Sequence, residues 1–358
     1  MKIFCIRTFF LVLTSFLIFS CQSTENLPEN NNSQPKSLVV MTHDSFSVSE
    51  DVIKSFESQN NVKINFLLSG DTGAAINRAI LTKNSPQADV FYGIDNTFMS
   101  RALSEEIFEP YASSALVNIR DDLKLDPSNR LLPVDFGDVC INYDKAYFQD
   151  LSISVPRLLS ELTSEQYKGL LVVENPATSS PGLAFLMATI AEYGEEGYIQ
   201  YWKDLKENGL VIVNDWETAY YTNFSASSGK GNQPMVVSYS TSPAAEVLFS
   251  DQPLTDSPTS SIIEGNSCFR QIEFVGILSG TKERELSEKF IDFVLGLEFQ
   301  EDLPLQMFVY PSNNNAKLPM EFTSYVEVPS NPARLDPELI SLKREIWIDT
   351  WTNEILRK

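Results

Sequence analysis

Basic residues are scarce in this sequence: 27 Lys and Arg stand against 48 Asp and Glu, for a net charge of −21. That sign excludes nucleic acid as a partner, because holding a phosphate backbone needs a basic face. It also disfavours an anionic membrane surface and is compatible with a cationic ligand. Histidine is nearly missing, with His43 alone, and there is no CxxC pair. A zinc site or a histidine-based catalytic centre is therefore not expected, nor is any metal or cofactor. No GxxxxGK[ST] or GxGxxG loop cradles a phosphate, and no GxSxG elbow presents a serine. A Ser-His-Asp triad would have to recruit His43, which lies beside Asp44. After the first twenty residues no run is apolar enough and long enough to span a bilayer.

What the N-terminus does contain is a leader. Lys2 and Arg7 precede the apolar run Thr8–Phe19, too short to span a bilayer comfortably. Ile18-Phe19-Ser20-Cys21 resembles a bacterial lipoprotein signal, with Cys21 as the lipidated residue; a plain secretory signal is the alternative. Residues 22–37, rich in Asn, Ser, Pro and Gln, read as a flexible tether. The mature protein is thus expected outside the cytoplasmic membrane, anchored through Cys21. Cys140 and Cys268 remain in the body of the chain, where an oxidising compartment permits a bond that sequence cannot assign.

From there strands and helices alternate. Leu38–His43, Val62–Leu68 and Ala88–Ile94 read as strands, with helices over Ser49–Gln59 and Ala74–Leu81 between them. Such βαβαβ order predicts a parallel sheet covered by helices, with ligands beyond the carboxyl ends of its strands. The loops His43–Phe46, Gly70–Gly73 and Asp95–Asn96 should then share one rim. Pro133–Tyr143 is an extended segment suited to crossing between two lobes. A second α/β series follows: strand Leu170–Glu174, helices Pro181–Tyr193 and Gly197–Glu207, strand Leu210–Asn214, a helix from Glu217, and strand Met235–Tyr239 running into a helix opened by Ser242-Pro243. Gln271–Leu278 returns as a strand, and helices occupy Glu283–Leu295 and Pro337–Leu356. In the last, Ile340, Trp347, Trp351 and Ile355 share a face and predict core packing. The expected architecture is α/β, with two lobes and two crossings forming a hinged cleft. Residues 38–136 and 271–358 make the first lobe and residues 137–270 the second.

The strand–loop–helix turns at Thr178–Gly182 and Tyr239–Pro243 bring hydroxyls and free N–H groups to single points, which suits a small polar ligand. Trp216, Tyr220, Tyr221 and Tyr239 at strand ends serve either as core or as a cleft rim that stacks on a planar or cationic ring. The adjacent Tyr220-Tyr221 pair also admits ferric-ion binding through phenolates.

Taken in order, several of these runs resemble the thiamine-binding proteins of bacterial ABC transporters. They are Thr42-His43-Asp44-Ser45-Phe46, Gly93-Ile94-Asp95-Asn96, Thr178-Ser179-Ser180-Pro181-Gly182-Leu183, Trp216-Glu217-Thr218-Ala219-Tyr220, Ser238-Tyr239-Ser240-Thr241-Ser242-Pro243-Ala244 and Tyr310-Pro311. The resemblance covers nearly the whole chain after residue 38. It implies a type II periplasmic binding protein fold and a non-catalytic monomer that closes over thiamine, thiamine monophosphate or thiamine diphosphate and docks on the permease of an importer. Ligand contacts implied by position are Asp71, Thr72, Ser179, Ser180, Trp216, Tyr239, Ser240, Thr241 and Ser242, with His43, Tyr220 and Phe308 completing the wall. The sequence departs from the family at His43 and Phe308, where tyrosine and tryptophan are usual, at Ala245, and at Gly70-Asp71-Thr72. Two rivals share the fold. One is a thiaminase I-like enzyme with Cys140 as nucleophile; the other is a ferric-ion binder.

Overall fold

The computed structural model describes residues 35–226 and 231–357. The leader, Cys21 and the tether up to residue 34 lie outside the described residues. No described helix is long and apolar enough to cross a membrane.

In chain order the strands are β1 (Lys36–Thr42), β2 (Val62–Leu68), β3 (Val90–Asp95), β4 (Phe108–Glu109), β5 (Leu132–Asp144), β6 (Leu171–Glu174), β7 (Val211–Val213), β8 (Met235–Tyr239), β9 (Thr259–Ile262), β10 (Phe269–Leu278) and β11 (Tyr310–Pro311). The helices are α1 (Glu50–Asn60), α2 (Thr72–Leu81), α3 (Met99–Ser104), α4 (Lys145–Leu151), α5 (Ser180–Glu207), α6 (Ser242–Leu248), α7 (Arg284–Val294), α8 (Leu297–Gln300), α9 (Leu303–Gln306), α10 (Met320–Tyr325) and α11 (Pro337–Trp351). β1 begins two residues inside the stretch expected as tether. α5 is interrupted at Gly194, so it is the two successive helices that the sequence predicts. The helix expected from Glu217 is a single wide π-type turn, Thr218–Asn223.

The strands form one mixed sheet in the order β2-β1-β3-β10-β5-β8-β6-β7, with β4 on β10 and with β9 and β11 on β5. The pairs β1/β2, β1/β3, β6/β7 and β6/β8 are parallel, as strands joined by helical crossovers must be. Two long antiparallel strands join the parallel parts. β5 pairs with β10 along Leu132–Val139 and with β8 along Val139–Tyr143. β10 also pairs with β3. β5 covers the extended segment predicted at 133–143, and β10 the strand predicted at 271–278.

Alternation along β1 sorts the core. Leu38 and Val40 face α1 and α7, where Ile53, Phe56 and Phe290 pack, while Met41 faces the α2 side with Ala75 and Ile76. The apolar stripe of α11 is core, as its spacing predicts: Trp351 meets Trp202 of α5 edge-on at 5.3 Å. The same helix reaches α3, where the Arg344 guanidinium lies 4.1 Å over the Phe98 ring. α11 therefore packs against helices from both halves of the chain.

Candidate functional site

The ends of β1, β2 and β3 meet as one rim. Asp44 N–H donates to the Gly70 carbonyl at 3.0 Å, and Gly70 N–H to Asp44 Oδ1 at 2.8 Å. Thr72 Oγ1 donates to the Gly93 carbonyl at 3.0 Å, tying the start of α2 to the end of β3. Asp71 is the N-cap of α2 and accepts from Thr72 N–H.

Across from this rim stand the turn before α5, the segment after β7 and the end of β8. The two sides come very close at Gly73: a Cβ there would sit 2.9 Å from the carbonyl oxygens of Ala177 and Thr178. Any side chain at this position would prop the sides apart. Asp71 meets groups from both sides, and on balance its carboxyl is held above the ordinary range. Burial pushes its carboxyl up; the Ser179 hydroxyl, His43, and the backbone N–H groups of Thr72 and Trp216 act the other way. Asp71 Oδ2 and Ser179 Oγ still lack a full hydrogen bond.

Between the two sides lies a cavity of about 860 Å³, within the range of small-molecule sites. Trp216 forms part of its wall. Its indole stacks on Tyr220 at 5.0 Å and 20°, and its Nε1 donates to Ser238 Oγ at 2.9 Å. Ser238 Oγ is in turn 3.0 Å from Ser242 Oγ, and the Tyr220 hydroxyl donates to Glu246 at 2.6 Å. Phe308, in left-handed backbone conformation with φ 57°, is held by the Thr241 hydroxyl on its carbonyl and by Phe249 edge-on at 5.2 Å.

The wall is acidic. Asp71, Glu217, Glu246, Asp251 and Glu273 line the cavity, and no Lys or Arg does among the described residues. His43 lines it as well, with Nε2 3.4 Å from Glu273 Oε2. Behind Glu273, strand register sets Asp95 of β3 on one side and Asp135 of β5 on the other. Asp135 is fully buried and accepts from the Tyr92 hydroxyl at 2.6 Å; burial and the neighbouring Glu273 push its carboxyl well above the ordinary range. Glu174, beneath the α5 turn, is buried with neither oxygen hydrogen-bonded, and burial pushes it up likewise.

Of the residues expected from sequence, His43, Asp71, Thr72, Ser180, Trp216, Tyr220, Tyr239, Ser242 and Phe308 line the cavity. Ser179, Ser240 and Thr241 are fully buried just behind it. The Thr241 hydroxyl is committed to the Phe308 carbonyl, so the run 239–242 offers the cavity only Tyr239 and Ser242. The Cys140 nucleophile is overturned: Cys140 of β5 and Cys268, the residue before β10, form a disulfide, leaving no thiol to ionise. Sequence reading missed Glu273. Its signal was an acidic residue inside the apolar run Gln271–Leu278, which costs free energy unless it has a partner or a use.

Comparison with known proteins follows this geometry. The thiamine-binding periplasmic protein of Salmonella typhimurium is 27% identical over 327 residues, covering 89% of this chain and 94% of that one. Its counterpart in Brucella suis is 29% identical, covering 88% and 90%. A solved periplasmic thiamin binding protein superposes with a TM-score of 0.79 at 25% identity, covering 90% of this chain and 98% of the other. The fold is that of a type II periplasmic binding protein. Residues 85–328 match the sequence pattern of one family, and by that match the chain belongs to the bacterial extracellular solute-binding proteins.

Proposed function

We propose that this protein captures thiamine outside the cytoplasmic membrane and delivers it to the permease of an ABC importer. The acidic, aromatic cavity carries the reading. Five carboxylates with no Lys or Arg among the described lining residues suit a permanent cation, and Trp216, Tyr220, Tyr239 and Phe308 suit a planar ring. The relatives' names agree with it. Nanomolar affinity needs about −12 kcal/mol, more than one wall supplies. Both sides of the cavity must contribute, as the approach at Gly73 allows. The protein acts without catalysis, as a monomer held to the membrane by a lipid on Cys21.

The test is calorimetry on protein freed of bound ligand, with mass spectrometry of whatever co-purifies. Thiamine should bind one to one. The monophosphate and diphosphate should bind progressively more weakly, because each phosphate meets the five carboxylates. Thiamine should also survive incubation with the protein and a nucleophilic amine. Failure to bind thiamine sinks the reading, and release of intact Cys21→Ala protein from membranes, beside retained native protein, checks the anchor.

A further inference from the structure

We propose that His43 is an internal cation that occupies Glu273 in the empty cleft, and that a cationic ligand displaces it there, so that binding expels a proton from His43. The inference rests on the cationic-ligand reading above and adds to it a specificity-determining carboxylate and the exchange it performs.

The geometry is that of a site with one valence left open. Glu273 Oε1 accepts from Gln271 Nε2 at 3.1 Å, and Gln271 Oε1 accepts from the Tyr239 hydroxyl at 3.3 Å. This relay fixes the carboxylate and leads to the cavity wall through Tyr239. Glu273 Oε2 has no hydrogen bond; among the described residues its neighbour of opposite charge is His43 Nε2 at 3.4 Å, which has none either. The two side chains are 6% and 7% exposed, and both line the cavity. The imidazole is confined: a Cβ on Gly93 would lie 2.4 Å from His43 Cδ2, so only glycine leaves room for the ring. His43 thus sits within reach of Glu273 but outside ideal contact, in the place a ligand's positive group would take.

The charges facing His43 come from three elements: Glu273 on β10, Asp71 capping α2 and Asp135 on β5, with Tyr92 of β3 hydrogen-bonded to Asp135. Burial acts to discharge the imidazole. The nearby Glu273 carboxylate, then Asp71 and Asp135, outweigh it and bring the pKa to about 9. At neutral pH the empty cleft therefore holds an imidazolium. A second cation beside Glu273 and Asp71 withdraws the attraction that keeps that proton and adds repulsion, while burial persists. The exchange balances: ligand cation enters, His43 gives one proton to solvent, and the charge of the cleft is unchanged. Affinity for a cation then rises with pH, by up to tenfold per unit, from the value His43 takes in the complex up to about 9.

Because the sequence holds one histidine, histidine-selective isotope labelling of tag-free protein gives a single imidazole signal. Titration of the empty protein should place His43 near 9, and at pH 7.5 saturating thiamine should move the signal to the neutral form. Calorimetry at that pH, in buffers of different ionisation heat, should count close to one proton released per thiamine. The count should vanish in His43→Gln, and Glu273→Gln should bind thiamine at least tenfold more weakly. An empty-state value near 6.5, or an imidazole still charged in the thiamine complex, overturns the inference while leaving the ligand assignment intact. If thiamine neither binds nor moves the signal, the exchange falls together with the reading on which it rests, whatever the empty-state value.

Discussion

Trp216→Ala should weaken thiamine binding by one to two orders of magnitude. The indole lines the cavity just after β7, fixed by its stack on Tyr220 and by Nε1 on Ser238 Oγ at 2.9 Å. Truncation removes a ring face worth about 0.5–2 kcal/mol to a desolvated cation. It also removes apolar area that ligand burial would cover, at roughly 25 cal/mol per Å². Together these come to about 1.5–3 kcal/mol, or about 10- to 150-fold in affinity. Trp216→Phe keeps a ring and loses chiefly the bond to Ser238, about 1 kcal/mol, so its loss should stay below tenfold. The assay is unusually clean. Of the four tryptophans, Trp202, Trp347 and Trp351 are at most 2% exposed and packed within the α5 and α11 region. A fluorescence change on adding thiamine therefore reports Trp216 and should disappear in Trp216→Phe. Calorimetric affinity unchanged in Trp216→Ala, or a fluorescence response that survives in Trp216→Phe, would refute the reasoning.

Reducing Cys140–Cys268 frees a loop spanning 128 residues of sequence separation, for which the loop-entropy relation gives about 5 kcal/mol and measured bonds usually 2–4. Thermal denaturation with reductant should show a midpoint lower by roughly 4–7 °C, and an unmoved midpoint would mean the bond carries no stability. Asp95 offers a test by pH. Burial, first among its causes, raises its carboxyl to about 7 against the Thr97 hydroxyl and N–H that lower it. A carboxyl raised on folding stabilises its protonated form, so its cost is absent below about 4, grows as pH rises to about 7, and is constant above. Asp95→Asn keeps the oxygen that accepts from Thr97 N–H at 2.6 Å. It should raise the melting midpoint at pH 8 and leave it nearly unchanged at pH 4.5; equal effects at both would count against the shift.

The alternation of short apolar runs and helical periods made both α/β series readable, because each signal is local. The sequence reads two helices, Pro181–Tyr193 and Gly197–Glu207, and α5 is interrupted between them at Gly194. The stripe of Trp347 and Trp351 likewise became core against α5. What sequence could not show depended on β10 slipping between β3 and β5. Only that pairing sets Glu273 beside Asp95 and Asp135, residues more than a hundred positions away, and only it brings Cys268 to Cys140. Ser240 and Thr241 were implied as ligand contacts, with Tyr239 and Ser242, by the family resemblance. In the structure both are fully buried, while Tyr239 and Ser242 line the cavity. His43 and Phe308 looked like losses of aromatic wall, yet both side chains line the cavity, and His43 brings a charge that a tyrosine would lack.

The bond between Cys140 and Cys268 also bears on endurance against proteases. It closes residues 140–268 into a covalent ring that contains α5, the Trp216 segment and the strand–helix turn at Ser242. A protease that cuts once anywhere inside that ring releases no fragment. Both new ends stay tied through β5 and β10, whose pairing with each other is untouched. A nicked molecule should therefore migrate as a single species on a non-reducing gel, and it retains on one covalent framework every residue that lines the cavity.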